Sequence, residues 1–225
     1  MHNLSIRYDI ETLEKHLIYT FLNLLNLDYT KNPILTSYFK FFEQNSKLSL
    51  EISHLNVRSI KELENYLELL IPANDRKING AFFTPTYITN FIINSIKPKE
   101  NDKNLDPSCG CGAFLIELVK FYQSNFNKKI KQTIRDNIYG ADILDYNIRR
   151  AKLLLSIFAL QSNEIVEEKD FNLTIQDSLQ ADWQLSFKRN STGIFDNIVG
   201  NPPYVKYQDL SAENRSYLDR KSTRL

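Results

Sequence analysis

The chain has 225 residues, of which 42% are hydrophobic and 12% aromatic, a composition that supports a packed core and excludes a disordered polypeptide. Its formal net charge of +1 does not indicate a nucleic-acid partner, because a basic surface would have to be local. The two cysteines, Cys109 and Cys111, are separated by one residue with no His nearby, which disfavours a disulfide and a metal site. Without a signal peptide or a bilayer-length apolar run, the chain is predicted to be cytoplasmic, with no membrane partner.

The first 78 residues are predicted to form a helical N-terminal region. Apolar residues recur there at helical spacing in two series. The first is Leu13, Leu17, Phe21 and Leu24, and the second is Ile60, Leu63, Leu67 and Leu70. Turn-forming segments around Pro33, Asn45 and Pro72 separate the helices. A second domain is predicted over residues 79–225.

Beyond residue 79, helices alternate with short apolar strands. Thr84 is the predicted N-cap, and Pro85 the first residue, of a helix that ends before Pro98. Four strands are predicted to follow, ending at Asp106, Asp142, Ile175 and Val199, with helices from about Ala113 to Ser124 and from about Tyr146 to Leu160. This alternation predicts an α/β fold with a parallel, doubly wound sheet.

Ligands of such sheets bind beyond the carboxyl ends of the strands, and Asp106, Asp142, Asp177 and Asn201 all fall at or just after predicted strand ends. Gly110 and Gly112 form a turn that would let the backbone approach a ligand, although a tight turn without a ligand is an equal alternative.

Two of these aspartates suit a nucleoside. Asp142 is placed to accept hydrogen bonds from ribose hydroxyls, or else caps the following helix. Asp177 would accept from an adenine amine, or else begins a turn. The third glycine of a dinucleotide motif and a Gly-Lys-Ser/Thr triphosphate motif are both missing, so a small adenosine cofactor without phosphates fits better than NAD or ATP.

The segment Asn201-Pro202-Pro203-Tyr204 follows the last predicted strand. The amide oxygen of Asn201 and the carbonyl of Pro202 offer two acceptors for one –NH2 group, and Tyr204 offers a flat face for stacking. We therefore interpret this loop as a candidate site for chemistry on an amide or adenine nitrogen. A Pro-Pro turn that merely ends a strand is the alternative.

The order of these segments resembles that of the amino-methylating DNA adenine methyltransferases, and in particular type II and combined restriction-modification enzymes. The matching segments lie between about residues 79 and 208 and are Gly80–Pro85, Asp106–Phe114, Tyr139–Asp142 with Arg150-Ala151-Lys152, Gln176–Leu179 and Phe195–Tyr204. The resemblance implies a Rossmann-like S-adenosylmethionine-dependent methyltransferase fold, incomplete here with about four of seven strands and truncated after the catalytic loop.

The resemblance also implies a role for each matching residue. Cofactor-binding residues would be Thr84, Pro85, Asp106, Gly110, Gly112, Asp142 and Asp177, and catalytic residues would be Asn201, Pro202 and Tyr204. The implied partner is double-stranded DNA with a flipped adenine in a prokaryotic cytoplasm. A second chain or a C-terminal region absent from this sequence would carry target recognition.

Two rival functions stay open at this point. A protein glutamine methyltransferase uses a similar Asn-Pro-Pro-Tyr loop, but Phe83-Thr84-Pro85 and the Asp106-Pro-Ser-Cys turn favour DNA. A fragment that binds cofactor or DNA without catalysis, and that needs a partner chain, is the second rival.

Overall fold

In a computed structural model of the chain, the described residues are 2–71, 84–187 and 195–202, together with Ala212, Arg215, Ser216 and Asp219. The chain divides into a large unit, Met1–Leu70 with Phe83–Asn201, and a second unit, Ile71–Phe82 with Pro202–Leu225. All the helices and strands named below belong to the large unit.

The predicted N-terminal helices are present in the described residues. They are α1 (His2–Ser5), α2 (Ile10–Leu24), α3 (Pro33–Tyr38), α4 (Ser46–Ser53) and α5 (Ile60–Leu69), with a 3-10 turn at Tyr29–Lys31. Polar side chains cap the starts of α2 to α5 by accepting hydrogen bonds from first-turn N–H groups, and these caps are Asp9, Asn32, Asn45 and Ser59. Ser59 and Glu62 form a reciprocal capping box, which explains why α5 begins where it does.

The rest of the large unit alternates helices and strands, as predicted. The strands are β1 (Asn104–Asp106), β2 (Ile138–Asp142), β3 (Asn172–Ile175) and β4 (Asn197–Ile198). The helices are α6 (Thr86–Ile96), α7 (Ala113–Phe126), α8 (Ile130–Asn137), α9 (Asp145–Gln161) and α10 (Trp183–Ser186), with a second 3-10 turn at Glu168–Asp170. The short helices α8 and α10 were not predicted from the alternation of helical and strand patterns in the sequence.

The four strands of the described residues form one parallel sheet in the order β3-β2-β1-β4. Leu105 pairs with Tyr139 of β2 on one side and with Ile198 of β4 on the other. Gly140 of β2 pairs with Leu173 of β3. The predicted α/β fold is therefore confirmed, and β4 lies at one edge of this sheet of the described residues.

Two apolar clusters cover the sheet because successive strand residues point to opposite faces. Ile138 belongs to the main core, which joins buried residues of α2–α5 to those of α7, α8 and α9. The next residue, Tyr139, belongs to a smaller cluster with Leu105 and Phe187. None of the helices in the described part of the chain is long and apolar enough to cross a membrane.

One predicted boundary is wrong by a residue. Pro85 has φ −59° and ψ 142°, an extended conformation, so it is the N-cap of α6 and Thr86 is the first helical residue. Thr84 therefore does not cap the helix, and no side chain does. The hydroxyl of Thr84 instead contacts a residue outside the helix, which is described below.

Candidate functional site

The carboxyl ends of the four described strands meet at one edge of the sheet, because every strand pair is parallel. Asp106 and Asp142 are the last residues of β1 and β2. Asp177 and Asn201 follow the ends of β3 and β4 by two and three residues, at Ile175 and Ile198. The structure thus brings the four predicted strand-end residues to the same edge.

The glycine turn between β1 and α7 uses its two glycines differently. Gly110 (φ +52°) and Gly112 (φ +100°) both have left-handed backbone conformations that favour glycine. A Cβ on Gly110 would meet nothing within 4 Å, so the backbone there faces open space. A Cβ on Gly112 would lie 3.4 Å from the Cβ of Ala151, so Gly112 allows α7 to pack against α9. Of these two glycines, Gly110 is the one whose backbone faces open space.

Asp142 holds the glycine turn against β2. Its Oδ2 accepts the N–H of Gly110 at 2.9 Å, and its Oδ1 accepts the N–H of Leu144 at 2.9 Å and the Nδ2 of Asn147 at 3.1 Å. A carboxylate has about four acceptor positions, so about one stays available for a ligand hydroxyl. Asn147, which sequence reasoning missed, is buried on α9 and also lies 3.9 Å from Sγ of Cys111.

Asp106 is a buried carboxylate at the end of β1, with 1% of its surface exposed. Its Oδ1 accepts the N–H of Ser108 at 3.0 Å. Burial raises the pKa of Asp106 to about 7; the Ser108 hydrogen bond lowers this pKa, and the charge of Asp142 raises it. The backbone of Gly200 packs directly on this carboxyl, because a Cβ there would lie 2.6 Å from Oδ1. Asp106 therefore suits a cationic ligand group, which would stabilise its ionised form.

The segment after β3 is hydrogen-bonded to the end of β2 and to the residue that follows β1. The N–H of Gln176 donates to the carbonyl of Asp142 at 3.0 Å, and the hydroxyl of Ser178 donates to the carbonyl of Pro107. Asp177 accepts the N–H of Leu179 at 2.9 Å through Oδ1 and the Nε2 of Gln180 at 3.3 Å through Oδ2. Asp177 thus forms the turn that was the alternative to an adenine contact, and it also lies at the edge that the cofactor prediction requires.

Asn201 and Thr84 are brought together across 117 residues of sequence. The Nδ2 of Asn201 donates to Oγ1 of Thr84 at 3.2 Å, and Thr84 is 7% exposed. This bond turns the amide nitrogen of Asn201 towards the protein. The amide oxygen, which is a hydrogen-bond acceptor, is therefore directed away from Thr84.

Other residues of the predicted motifs have different surroundings. Cys109 and Cys111 are buried free thiols, consistent with packing residues, and burial raises the pKa of both. Arg150, which lies in one of the segments that carry the resemblance, is buried, and its Nε lies 2.7 Å from Oε2 of Glu14. Pro202 belongs to the second unit, and Tyr204 lies outside the described residues.

Comparison with known proteins

The parallel sheet, the glycine turn after β1 and the acidic residue that ends β2 define an α/β protein with the strand-end arrangement that is typical of nucleotide-binding folds. A family model described as N-6 DNA methylase matches residues 64–223. The chain belongs to this family, which confirms the resemblance that its motifs carry.

Named relatives are restriction-modification proteins. The type I restriction enzyme MjaVIII methylase subunit of Methanocaldococcus jannaschii is 31% identical over 144 residues, which cover 63% of this chain and 22% of that protein. The type II methyltransferase M.HincII of Haemophilus influenzae is 27% identical over 132 residues, which cover 59% of this chain and 18% of that protein. The chain thus matches only 22% and 18% of the length of these relatives.

The fold also resembles that of a solved structure. A cryo-EM structure of a DrdV–DNA complex superposes with a TM-score of 0.59 at 18% identity, covering 95% of this chain and 26% of that one. At this identity the likeness concerns the fold alone.

Proposed function

We propose that the chain carries the cofactor-binding and catalytic part of a site-specific DNA methyltransferase of a restriction-modification system. It transfers a methyl group from S-adenosylmethionine to the exocyclic N6 of adenine. The observation that carries this proposal is the Asn201–Thr84 hydrogen bond of 3.2 Å, which points the Asn201 amide oxygen away from Thr84 at the ligand edge of the sheet.

The residues at this edge fit S-adenosylmethionine. The open space at Gly110 admits a ligand against bare backbone, and Asp142 keeps an acceptor position for a ribose hydroxyl. The buried carboxylate of Asp106 suits the ammonium of the methionine part. Exposed apolar side chains flank the same edge, with Ile143 54% exposed and Leu179 55% exposed, and offer surfaces for the adenine ring.

When bound, S-adenosylmethionine supplies a methyl group on a positively charged sulfur. The adenine N6 forms the new N–C bond while the C–S bond breaks, and a proton then leaves the nitrogen. The lone pair of N6 is delocalised into the ring, so it has to be localised first. In our proposal Asn201 Oδ1 accepts one N6–H and the carbonyl of Pro202 accepts the other, which directs the lone pair at the methyl carbon. Orientation of this kind is worth up to about 7–11 kcal/mol.

The adenine has to leave the duplex to reach this edge, and stacking on Tyr204 would return about 1–3 kcal/mol of the unstacking free energy. Target recognition requires side chains that contact base edges. Because the chain matches 22% and 18% of the length of two restriction-modification relatives, we propose that a further region or a second chain supplies this contact.

The test is transfer of a tritiated methyl group to unmethylated genomic DNA by the 225-residue chain. Because the region that supplies target recognition is not part of the assay, we expect slow label on adenine N6 without sequence preference, lowered about 10²–10³-fold by Asn201→Ala. Asn94→Ala is the matched control, because Asn94 is an exposed asparagine of α6 that donates to the carbonyl of Asn90. Label on protein glutamine, or equal labelling by Asn201→Ala, would contradict the proposal. Calorimetry with S-adenosylmethionine alone tests the cofactor: folded protein that binds none contradicts its assignment.

A further inference from the structure

Lys61 of α5 joins a buried glutamate to the residue that contacts Asn201. Its Nζ lies 3.0 Å from both Oε1 and Oε2 of Glu64 and 3.2 Å from the backbone carbonyl oxygen of Thr84. Glu64 is 1% exposed, so its carboxylate requires a cation close by. An ammonium group has three N–H donors and can serve both oxygens of the carboxylate and the carbonyl together.

Thr84 is therefore held at two atoms. Its carbonyl accepts from Lys61, and its hydroxyl accepts from Nδ2 of Asn201. Pro85 follows directly, and a residue before proline has restricted backbone torsions. The position of the Thr84 carbonyl consequently limits the direction of its Cα–Cβ bond, and with it the region that the hydroxyl contacting the Asn201 amide can occupy.

We propose that Lys61 is a positioning residue of the methyl-transfer site, which acts on Asn201 through Thr84. The inference rests on the proposed function of Asn201. A rotation of the amide by 180° would present the –NH2 of Asn201, which cannot accept a hydrogen bond, to the substrate amine. Through Lys61 the helical region then positions a residue of the methyl-transfer site, although Lys61 itself does not contact the substrate.

The first experiment does not depend on activity. In the ¹⁵N-labelled 225-residue chain, the side-chain amide signals of Asn201 are assigned by their loss in Asn201→Ser. We expect Lys61→Met to shift these signals and to raise the exchange of the amide hydrogens with water at least about threefold, as Thr84→Val should also do. Lys61→Arg keeps a donor and should recover part of the protection.

Lys131→Met is the matched control. Lys131 also pairs with a buried carboxylate, that of Asp170, at 3.4 Å, and this pair lies on a different helix and 3-10 turn from α5. The Lys131→Met variant should leave the Asn201 signals unchanged. If Lys61→Met fails to fold, the double variant Lys61→Met/Glu64→Leu removes both charges together. It should shift the Asn201 amide signals and raise their exchange in the same way.

In the methyl-transfer assay, Lys61→Met should lower kcat about tenfold, with the KM for DNA changed less than about twofold. Asn201 amide signals that are identical in the wild type and in the Lys61 variants would overturn the inference. A wild-type chain that neither binds S-adenosylmethionine nor transfers label would instead overturn the proposed function, and the amide signals would still decide the role of Lys61.

Discussion

The helical part of the large unit, residues 2–70, and its α/β part, residues 84–201, both bury polar side chains but use them in different ways. In the α/β part, Asp106 and Asp142 lie at strand ends, at the edge where ligands of parallel sheets bind. In the helical part, buried polar side chains contact the α/β part. Glu14 pairs with Arg150, Glu64 holds the lysine that contacts Thr84, and Asn32 donates to the carbonyl of Val166 at 3.2 Å.

This difference shows that burial of a charged side chain does not by itself indicate a ligand site. Glu14 is 1% exposed and accepts hydrogen bonds from Arg150 and from the hydroxyl of Tyr38, so its charge is compensated inside the protein. Asp106 is equally buried, and the donor described for it is the Ser108 N–H. Substitution of Glu14 in the helical part should therefore change stability, and substitution of Asp106 at its strand end should change ligand binding.

The largest expected effect is on the Glu14–Arg150 pair, at 2.7 Å between Oε2 and Nε. Glu14→Leu leaves Arg150 buried without its counter-charge, which should lower the free energy of unfolding by about 3–5 kcal/mol in urea denaturation. Glu14→Leu/Arg150→Met should recover much of this loss. The exposed Arg7–Glu51 pair is the control, and Glu51→Leu should leave the urea midpoint nearly unchanged. Equal effects of Glu14→Leu and Glu51→Leu would remove the distinction between the two kinds of pair.

The second prediction concerns Asp106, whose pKa burial raises to about 7. A cationic ligand binds the ionised form, so the affinity for S-adenosylmethionine should rise with pH and level off above about pH 7. Below that value each unit of pH should cost about tenfold in affinity, measured by calorimetry between pH 5 and 8. Asp106→Asn cannot ionise and should abolish this slope. An affinity that is independent of pH in the wild type would show that Asp106 does not bind the cation.

The smallest effects are expected at the two glycines of the edge. Gly200→Ala places a Cβ 2.6 Å from Oδ1 of Asp106 and should cost about 1–3 kcal/mol of stability by overpacking. Gly110→Ala meets no atom within 4 Å and should cost about 1 kcal/mol for its left-handed backbone, but it fills the space that we assign to the cofactor. Thermal denaturation measures the loss of stability in each variant, and calorimetry measures the loss of affinity for S-adenosylmethionine. A larger loss of affinity in Gly200→Ala than in Gly110→Ala would contradict the assignment.

Much of the fold could be predicted from the sequence because it depends on local signals. Apolar residues at helical spacing mark α2 and α5, and short apolar runs mark β1 to β4. The short helices α8 and α10 were missed because they carry few periodic apolar residues. The start of α6 was placed one residue early, because the pattern Thr-Pro does not say whether the proline adopts the helical or the extended conformation.

The family, the parallel sheet and the four polar residues at its carboxyl edge could all be predicted from the sequence, because the residues that carry them stand next to strands or within short motifs. The partners of these residues followed only from the folded structure. The Asn201–Thr84 and Glu14–Arg150 contacts join residues 117 and 136 positions apart, and a one-dimensional pattern does not record which distant side chains the packing of helices brings within hydrogen-bonding distance. The packing also distinguished Gly110, which faces open space, from Gly112, which packs against Ala151.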